Sequence, residues 1–296
     1  MSGTKILKYL SPYIWQLILM AIFIYCQASA SLALPDFMAK IINQGILGKN
    51  TGVIFQTGLI MILVAIGGGL ATVGVNYLSS RIGAGFAKNL RNAVFTKVES
   101  FSLVEFNKFS TSSLITRTTN DVQQIQMVLT MFFRLAIMAP LIGILATIKA
   151  YRLAPSMTWI MAVAVVALIF VIALLFKIII PKFSLIQKLI DKLNLVTREI
   201  LNGLRVIRAF NKEKHEEERF NKVNKDLTQL NLFVNRLMII LQPAMMLIMN
   251  FMMIAIVWFG AHQIELGTLQ IGSMLAFLQY SMQAVFAFLM ISIIFI

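Results

Sequence analysis

Residues 53–80 carry no charged side chain. A helix of ~20 apolar residues crosses the ~30 Å hydrocarbon core of a bilayer, so this run alone is long enough to span one. Comparable apolar runs cover about 9–35, 123–148, 153–176, 237–264 and 271–296. None of them alternates in the short, period-two manner of a membrane barrel strand. The composition agrees: 59% of residues are hydrophobic, 13% are charged and mean hydropathy is +0.83. A soluble domain carries roughly 25% charge. The sequence therefore predicts an all-α membrane protein of six spans.

The formal net charge is +14. The basic residues gather in the N-terminal tail, with Lys5 and Lys8, and in two long polar stretches. Such a distribution follows the positive-inside rule. It points to membrane lipids with anionic headgroups as the counter-charge and argues against nucleic acid as a partner. Ala28-Ser29-Ala30 has the form of a signal-peptidase site, but the apolar run around it is too long for a leader. Cys26 is the only cysteine, so no intrachain disulfide forms, and His215 and His262 lack the neighbours of a metal site.

Between the spans, residues 36–52 are expected to form a first outer loop. Lys149-Ala150-Tyr151-Arg152 is expected to form a second outer turn, and Gly267-Thr268 a third. Residues 81–122 and 177–236 are polar yet helical in pattern. Leu90, Val94, Val98 and Phe101 recur at helical spacing in the first. Both are expected to be cytosolic helical hairpins continuous with their spans, placing both termini in the cytosol. Gly67, Gly68, Gly69 and Gly74 are expected to let a neighbouring helix approach. Arg134 is expected to snorkel to the nearby interface, and Pro243 to kink the fifth span. Glu216, Glu217 and Glu218 beside Arg219 and Lys222 predict i,i+4 pairing on an exposed face.

The tip of the first hairpin, residues 105–121, is the polar centre of the chain. Phe106 and Phe109 are spaced i,i+3 and suit anchors for a soluble partner, or packing within the hairpin. Glu105 and Asn107 flank them. Ser110 or Thr111 is expected to cap the next helix, and Arg117 is expected to pair with Asp121 at i,i+4. The second tip carries Arg208, Phe210 and Asn211. For the substrate path, Met245, Met249, Met252 and Met253 recur on about one face of the fifth span. Asn250, Gln279 and Gln283 add amides at membrane depth. Thioethers with a few amides suit varied amphipathic ligands. Helix packing accounts for each methionine taken singly.

Four separated stretches carry a family resemblance. Ser112-Ser113-Leu114-Ile115-Thr116-Arg117 with Thr119-Asn120-Asp121 resembles the first coupling region of ATP-binding-cassette (ABC) exporters. Glu199-Ile200-Leu201-Asn202-Gly203-Leu204-Arg205-Val206-Ile207-Arg208-Ala209-Phe210 resembles the second. Leu34-Pro35 with Ile41-Ile42-Asn43-Gln44-Gly45 is similar to the end of that family's first span. Gly267 through Gly272 to Ala276-Phe277-Leu278-Gln279-Tyr280 is similar to the start of its sixth. Ser112 and Ser113 stand where many members have Gly and an acid, and Asn43 where Asp is frequent. The Ser-Ser form resembles the heterodimeric bacterial multidrug branch.

The resemblance implies a type-1 exporter transmembrane domain over 1–296, in the type IV transporter fold, within a bacterial inner membrane. It implies ATP-driven export of hydrophobic or amphipathic compounds by alternating access. The partners would be a second, related half-transporter, a heterodimer before a homodimer, and ABC ATPase domains that bind ATP and Mg2+. An ATP-binding domain is expected after residue 296, because no Gly-x-x-x-x-Gly-Lys-Ser/Thr occurs within the chain. The chain itself then has no cofactor and no catalytic residue, and acts as part of a transport ATPase. A peptide or lipid exporter of the same fold, or a non-transporting scaffold, are the alternatives. A secondary transporter fits less well, since no span carries the Asp or Glu of ion coupling.

Overall fold

The structure, a computed structural model, describes residues 8–106 and 108–294. These residues are almost entirely helical. The helices are α1 (Ile14–Lys40), α2 (Thr51–Glu99), α3 (Leu103–Phe106), α4 (Thr111–Thr116), α5 (Val122–Leu153), α6 (Thr158–Ala209), α7 (Glu213–Glu265) and α8 (Ile271–Ile294). Six of the described helical segments are long and apolar enough to cross a membrane. At ~1.5 Å per residue, the 49 residues of α2 run about 75 Å, well beyond the bilayer core. The expected extension of the second span into the polar stretch is therefore one unbroken helix. Pro243 lies inside α7 without ending it.

The chain divides into two compact units, Met1–Met161 with Ala255–Ile296, and Ala162–Ile254. In the first unit, Met20 and Ile24 of α1 pack on Val75, Ile82 and Phe86 of α2 and on Val122 of α5. Small residues permit the approach. A Cβ on Gly68 would stand 3.0 Å from Ala30, and one on Gly74 3.2 Å from the Phe23 ring. Gly67 and Gly69 face open space instead. The second unit is the α6–α7 hairpin. Leu175 and Ile179 meet Val234, with Ile186, Leu237 and Leu241 around them. Arg219 donates to Glu199 across this hairpin at 2.7 Å and to Glu216 at 3.3 Å, an i,i+3 pair. The charged face thus ties α7 to α6, and its local ion pair is i,i+3 where i,i+4 pairing was expected.

Three of the turns use one device. At Lys49, Asn211 and Gly267 the backbone takes the left-handed conformation, which closes a helix by two reversed hydrogen bonds. At the first, Asn50 N donates to Gly45 O (2.8 Å) and Lys49 N to Ile46 O (3.2 Å). Asn50 then caps α2 by accepting from Val53 N at 3.2 Å.

The loops expected on the outer side are shorter than the sequence suggests. In place of a loop over 36–52, α1 continues to Lys40 and a π-helical turn follows over Ile41–Ile46. The polar groups that read as loop have distant partners. Asn43 Oδ1 accepts from Gly272 N at 2.8 Å, satisfying an orphan donor at the start of α8, and its amide donates to Ser273 Oγ. The turn expected at Lys149 falls later. Helix α5 runs on to Leu153, and Ala154 breaks it with φ −147° and ψ 80°. Pro155 disfavours helical geometry in the residue before it. Lys149 is free to stay helical because its ammonium is paired with Asp36.

The Asn43–Gly272 contact leaves no room for a side chain. A Cβ at Gly272 would lie 2.7 Å from Asn43 Oδ1 and 2.9 Å from Ala39 Cα. Gly272→Val will destabilise the fold by about 2 kcal/mol or more, toward the upper end of overpacking costs. A thermal midpoint equal to that of the unmodified protein would refute this seating of α8.

Candidate functional site

The first tip begins where α2 ends. Ser100 Oγ donates to Lys97 O at 2.8 Å, and Ser102 opens α3 with a reciprocal cap. Ser102 N donates to Glu105 Oε2 at 3.0 Å, while Glu105 N donates to Ser102 Oγ at 3.3 Å. This is a capping box, Ser-x-x-Glu. The Ser102 backbone N–H, then its hydroxyl and the nearby Lys97 charge, hold the exposed Glu105 carboxyl below its ordinary pKa. Glu105 is thus an intramolecular cap.

Beyond α3 the chain turns back. Ser110, extended at φ −73° and ψ 145°, caps α4 by accepting from Ser113 N, as expected. The expected Arg117–Asp121 ion pair does not form. Residues Arg117–Asp121 make a π-helical turn. Its i→i+5 hydrogen bonding widens the turn and takes the i,i+4 pair out of register. The hydroxyls of Thr116, Thr118 and Thr119 bond the carbonyls four residues back, local bonding of the kind that bends helices.

Arg117 instead covers the Phe109 ring at 5.1 Å from its centroid. Phe109 stacks on Phe101 at 5.8 Å, and Lys97 lies over Phe101 at 5.8 Å. Cation, ring, ring and cation thus form one stack that fastens the returning chain to the end of α2. Each cation lies within the ~6 Å range of a cation–π contact. Phe109 is engaged inside the tip, and Phe106 is half-buried. The most exposed apolar side chains of the tip are Leu103 at 77% and Val104 at 71%, followed by Ile115 at 59%. Asn107 lies outside the described residues.

The second tip belongs to the other unit. Lys212 N donates to Ile207 O at 3.0 Å and Asn211 N to Arg208 O at 3.2 Å, with Asn211 left-handed at φ 48°. Asparagine tolerates this conformation better than most residues. The reversal leaves Phe210 at 72% exposure at the turn between α6 and α7. Arg205 and Arg208 beside it are exposed. Each unit therefore carries one tip with apolar side chains held outward by a fixed turn.

The span residues separate. Met245 and Met249 are half-buried and i,i+4 on α7, whereas Met252 is 3% exposed and Met253 is exposed. The four share one helical face by their i, i+4, i+7 and i+8 spacing, but Met252 is a core residue, so they do not share one environment. Asn250 is exposed on α7. Gln279 is exposed and Gln283 half-buried on α8. Arg134 also has a protein partner: its Nη1 donates to Asn76 Oδ1 at 3.1 Å.

Two features escaped sequence reading. The Ser102-x-x-Glu105 spacing was a visible signal for the cap. The outward direction of Leu103 and Val104 had no signal, because four helical residues show no periodicity.

The ABC transporter transmembrane region family matches residues 17–288. An uncharacterized ABC transporter ATP-binding protein of Mycobacterium tuberculosis is 35% identical over 88% of this chain and 45% of its own length. An uncharacterized ABC transporter ATP-binding protein of Bacillus subtilis is 28% identical over 94% of this chain and 48% of its own. An ATP-dependent lipid A-core flippase of Pseudoalteromonas translucida is 24% identical over 64% of this chain and 32% of its own. The chain thus spans about half the length, or less, of these relatives.

Proposed function

We propose that this chain, which belongs to the ABC transporter transmembrane family, supplies one half of the membrane pathway of an ATP-driven exporter. The cargo is hydrophobic or amphipathic, and the setting is a bacterial inner membrane with both termini cytosolic. A second, related half completes the pathway, with a different polypeptide favoured by the Ser112-Ser113 form. ATP and Mg2+ act on ATPase domains outside these residues. The observation that carries this reading is the pair of outward apolar tips, Leu103-Val104 and Phe210, each at the end of long continuous helices. Long helices move as rigid levers. A tip seated in a groove of an ATPase domain transmits that domain's motion to the spans.

By family resemblance, the first tip docks on its own chain's ATPase domain and the Phe210 tip on the partner's. The relative named as a lipid A-core flippase favours a second reading, a lipid exporter of the same fold.

Proteoliposomes holding the full-length protein with its partner half test the reading. ATP and Mg2+ will drive accumulation of a fluorescent amphiphile. A cysteine at Ser110 or Asn211, in a Cys26→Ser background, will react only from the ATP-accessible face. ATP-independent equilibration of the dye, or labelling of Ser110 from the opposite face, would overturn it.

A further inference from the structure

We infer that the cavity between α2 and α5 around Arg134 is a binding site for the anionic headgroup of a single-chain or lipid-like amphiphile. The inference rests on the exporter reading and names a cargo class for it. The cavity measures about 680 Å3 and is open to its surroundings. That volume falls within the ~300–1,000 Å3 of small-molecule sites. Its polar wall includes Arg134, Asn76, Ser80 and Gln126, and its apolar wall includes Met127 and Met131. All of these residues lie in the first unit.

The charge balance decides the sign of the ligand. Arg134 stands within the third apolar span, where an ionised group usually faces protein or water and finds a partner. Among the described residues no carboxylate lies within ion-pair range of it. No acidic residue lines the cavity, none occurs in α5, and Glu99 at the far end of α2 is the only one on that helix. Asn76 Oδ1 occupies one of the five guanidinium donors. The remaining donors form a planar fork suited to two oxygens of a phosphate or carboxylate. A cationic amphiphile would meet an uncompensated like charge there.

The position decides the rest of the ligand. Asn76 and Ser80 sit in the last five residues of the uncharged run 53–80, which Arg81 ends. The guanidinium is therefore near the boundary of the apolar segment, with Met127 and Met131 beside it on α5. A headgroup held at Arg134 leaves its chain against flexible thioethers, which adapt to varied apolar shapes.

Two sources share this chemistry: an anionic lipid of the bilayer and a free amphiphile. Equilibrium binding to the full-length transporter in nanodiscs separates them. Radiolabelled dodecyl phosphate is the probe, in phosphatidylcholine discs and in discs with added phosphatidylglycerol. In phosphatidylcholine, dodecyl phosphate will bind at least about tenfold more tightly than dodecyltrimethylammonium, as loss of a charge-assisted pair implies. Arg134→Gln will remove that preference and Arg134→Lys will keep part of it. Inorganic phosphate at equal concentration will not compete. Competition by phosphatidylglycerol assigns the site to bilayer lipid, and its absence assigns it to free amphiphile.

The headgroup comparison on the unmodified protein stands even if a variant fails to fold. Equal binding of the two headgroups, or a preference that survives in a folded Arg134→Gln protein, would overturn the inference. So would full displacement by inorganic phosphate. ATP hydrolysis by the same unmodified preparation keeps the two readings apart. Hydrolysis without headgroup preference rejects the anion site alone. Headgroup preference without hydrolysis rejects the exporter alone.

Discussion

Aspartate at Leu103, Val104 and Phe210 together will uncouple ATP hydrolysis from transport while the protein still folds. The three side chains are 77%, 71% and 72% exposed, so the isolated fold gains little from them. Surface changes of this kind usually alter stability by no more than about 0.5 kcal/mol. In a docked assembly the same groups would be buried, each contributing roughly 1.5–3 kcal/mol. Central apolar anchors of an interface cost about 2 kcal/mol or more when lost, and a buried carboxylate adds a further penalty. Substrate-stimulated ATPase activity of the full assembly will then fall about thirtyfold or more, with the thermal midpoint nearly unchanged. Stimulation at the unmodified level in the triple variant would mean that neither tip docks through these groups.

Phe109→Ala makes the contrast. It removes the middle of the Lys97–Phe101–Phe109–Arg117 stack, so its primary effect is loosening of the tip. The two kinds of variant separate contact with a partner from the scaffold that presents it.

The spans were legible because membrane solvation acts on a sequence locally. An uncharged run such as 53–80 must cross or be buried, whatever surrounds it. The extension of α2 to Glu99 was legible from the spacing of Leu90, Val94 and Val98, and the Ser110 cap from residue type. What misled was polarity without its partner. Asn43 and Lys149 read as loop residues because each is costly alone in an apolar helix, and Arg134 gave no sign of its partner. Their partners are Gly272, Asp36 and Asn76, which lie 229, 113 and 58 positions away. No local pattern contains them. Arg117 and Asp121 failed for the opposite reason, since the i,i+4 rule holds only where the turn is α-helical, and here it is a π-turn.

The Asp36 cluster couples three spans through one carboxylate. The Asp36 carboxylate accepts from Lys149 Nζ of α5 and from the hydroxyl of Tyr280 of α8. The Leu32 carbonyl accepts from the same two donors, at 2.9 Å and 3.0 Å. The Lys149 ammonium also lies 5.5 Å from the centroid of the Tyr280 ring, which is fully buried. One turn of α1 thus holds two other spans. Removing one member of a buried ion pair costs roughly 3–5 kcal/mol, because the other charge stays behind. Here the side chains of Lys149 and Asp36 are 35% and 50% exposed, which reduces the penalty. Asp36→Ala will therefore cost about 2 kcal/mol and lower the thermal midpoint in detergent. Tyr280→Phe keeps the ring and removes only a hydroxyl, so it will cost about 1 kcal/mol. Asp36→Ala with Lys149→Met will be more stable than Asp36→Ala alone, since no stranded ammonium remains. Groups that act as one network are non-additive by about 0.5–3 kcal/mol in a double-mutant cycle. Losses that add within experimental error would show that the three residues do not act together.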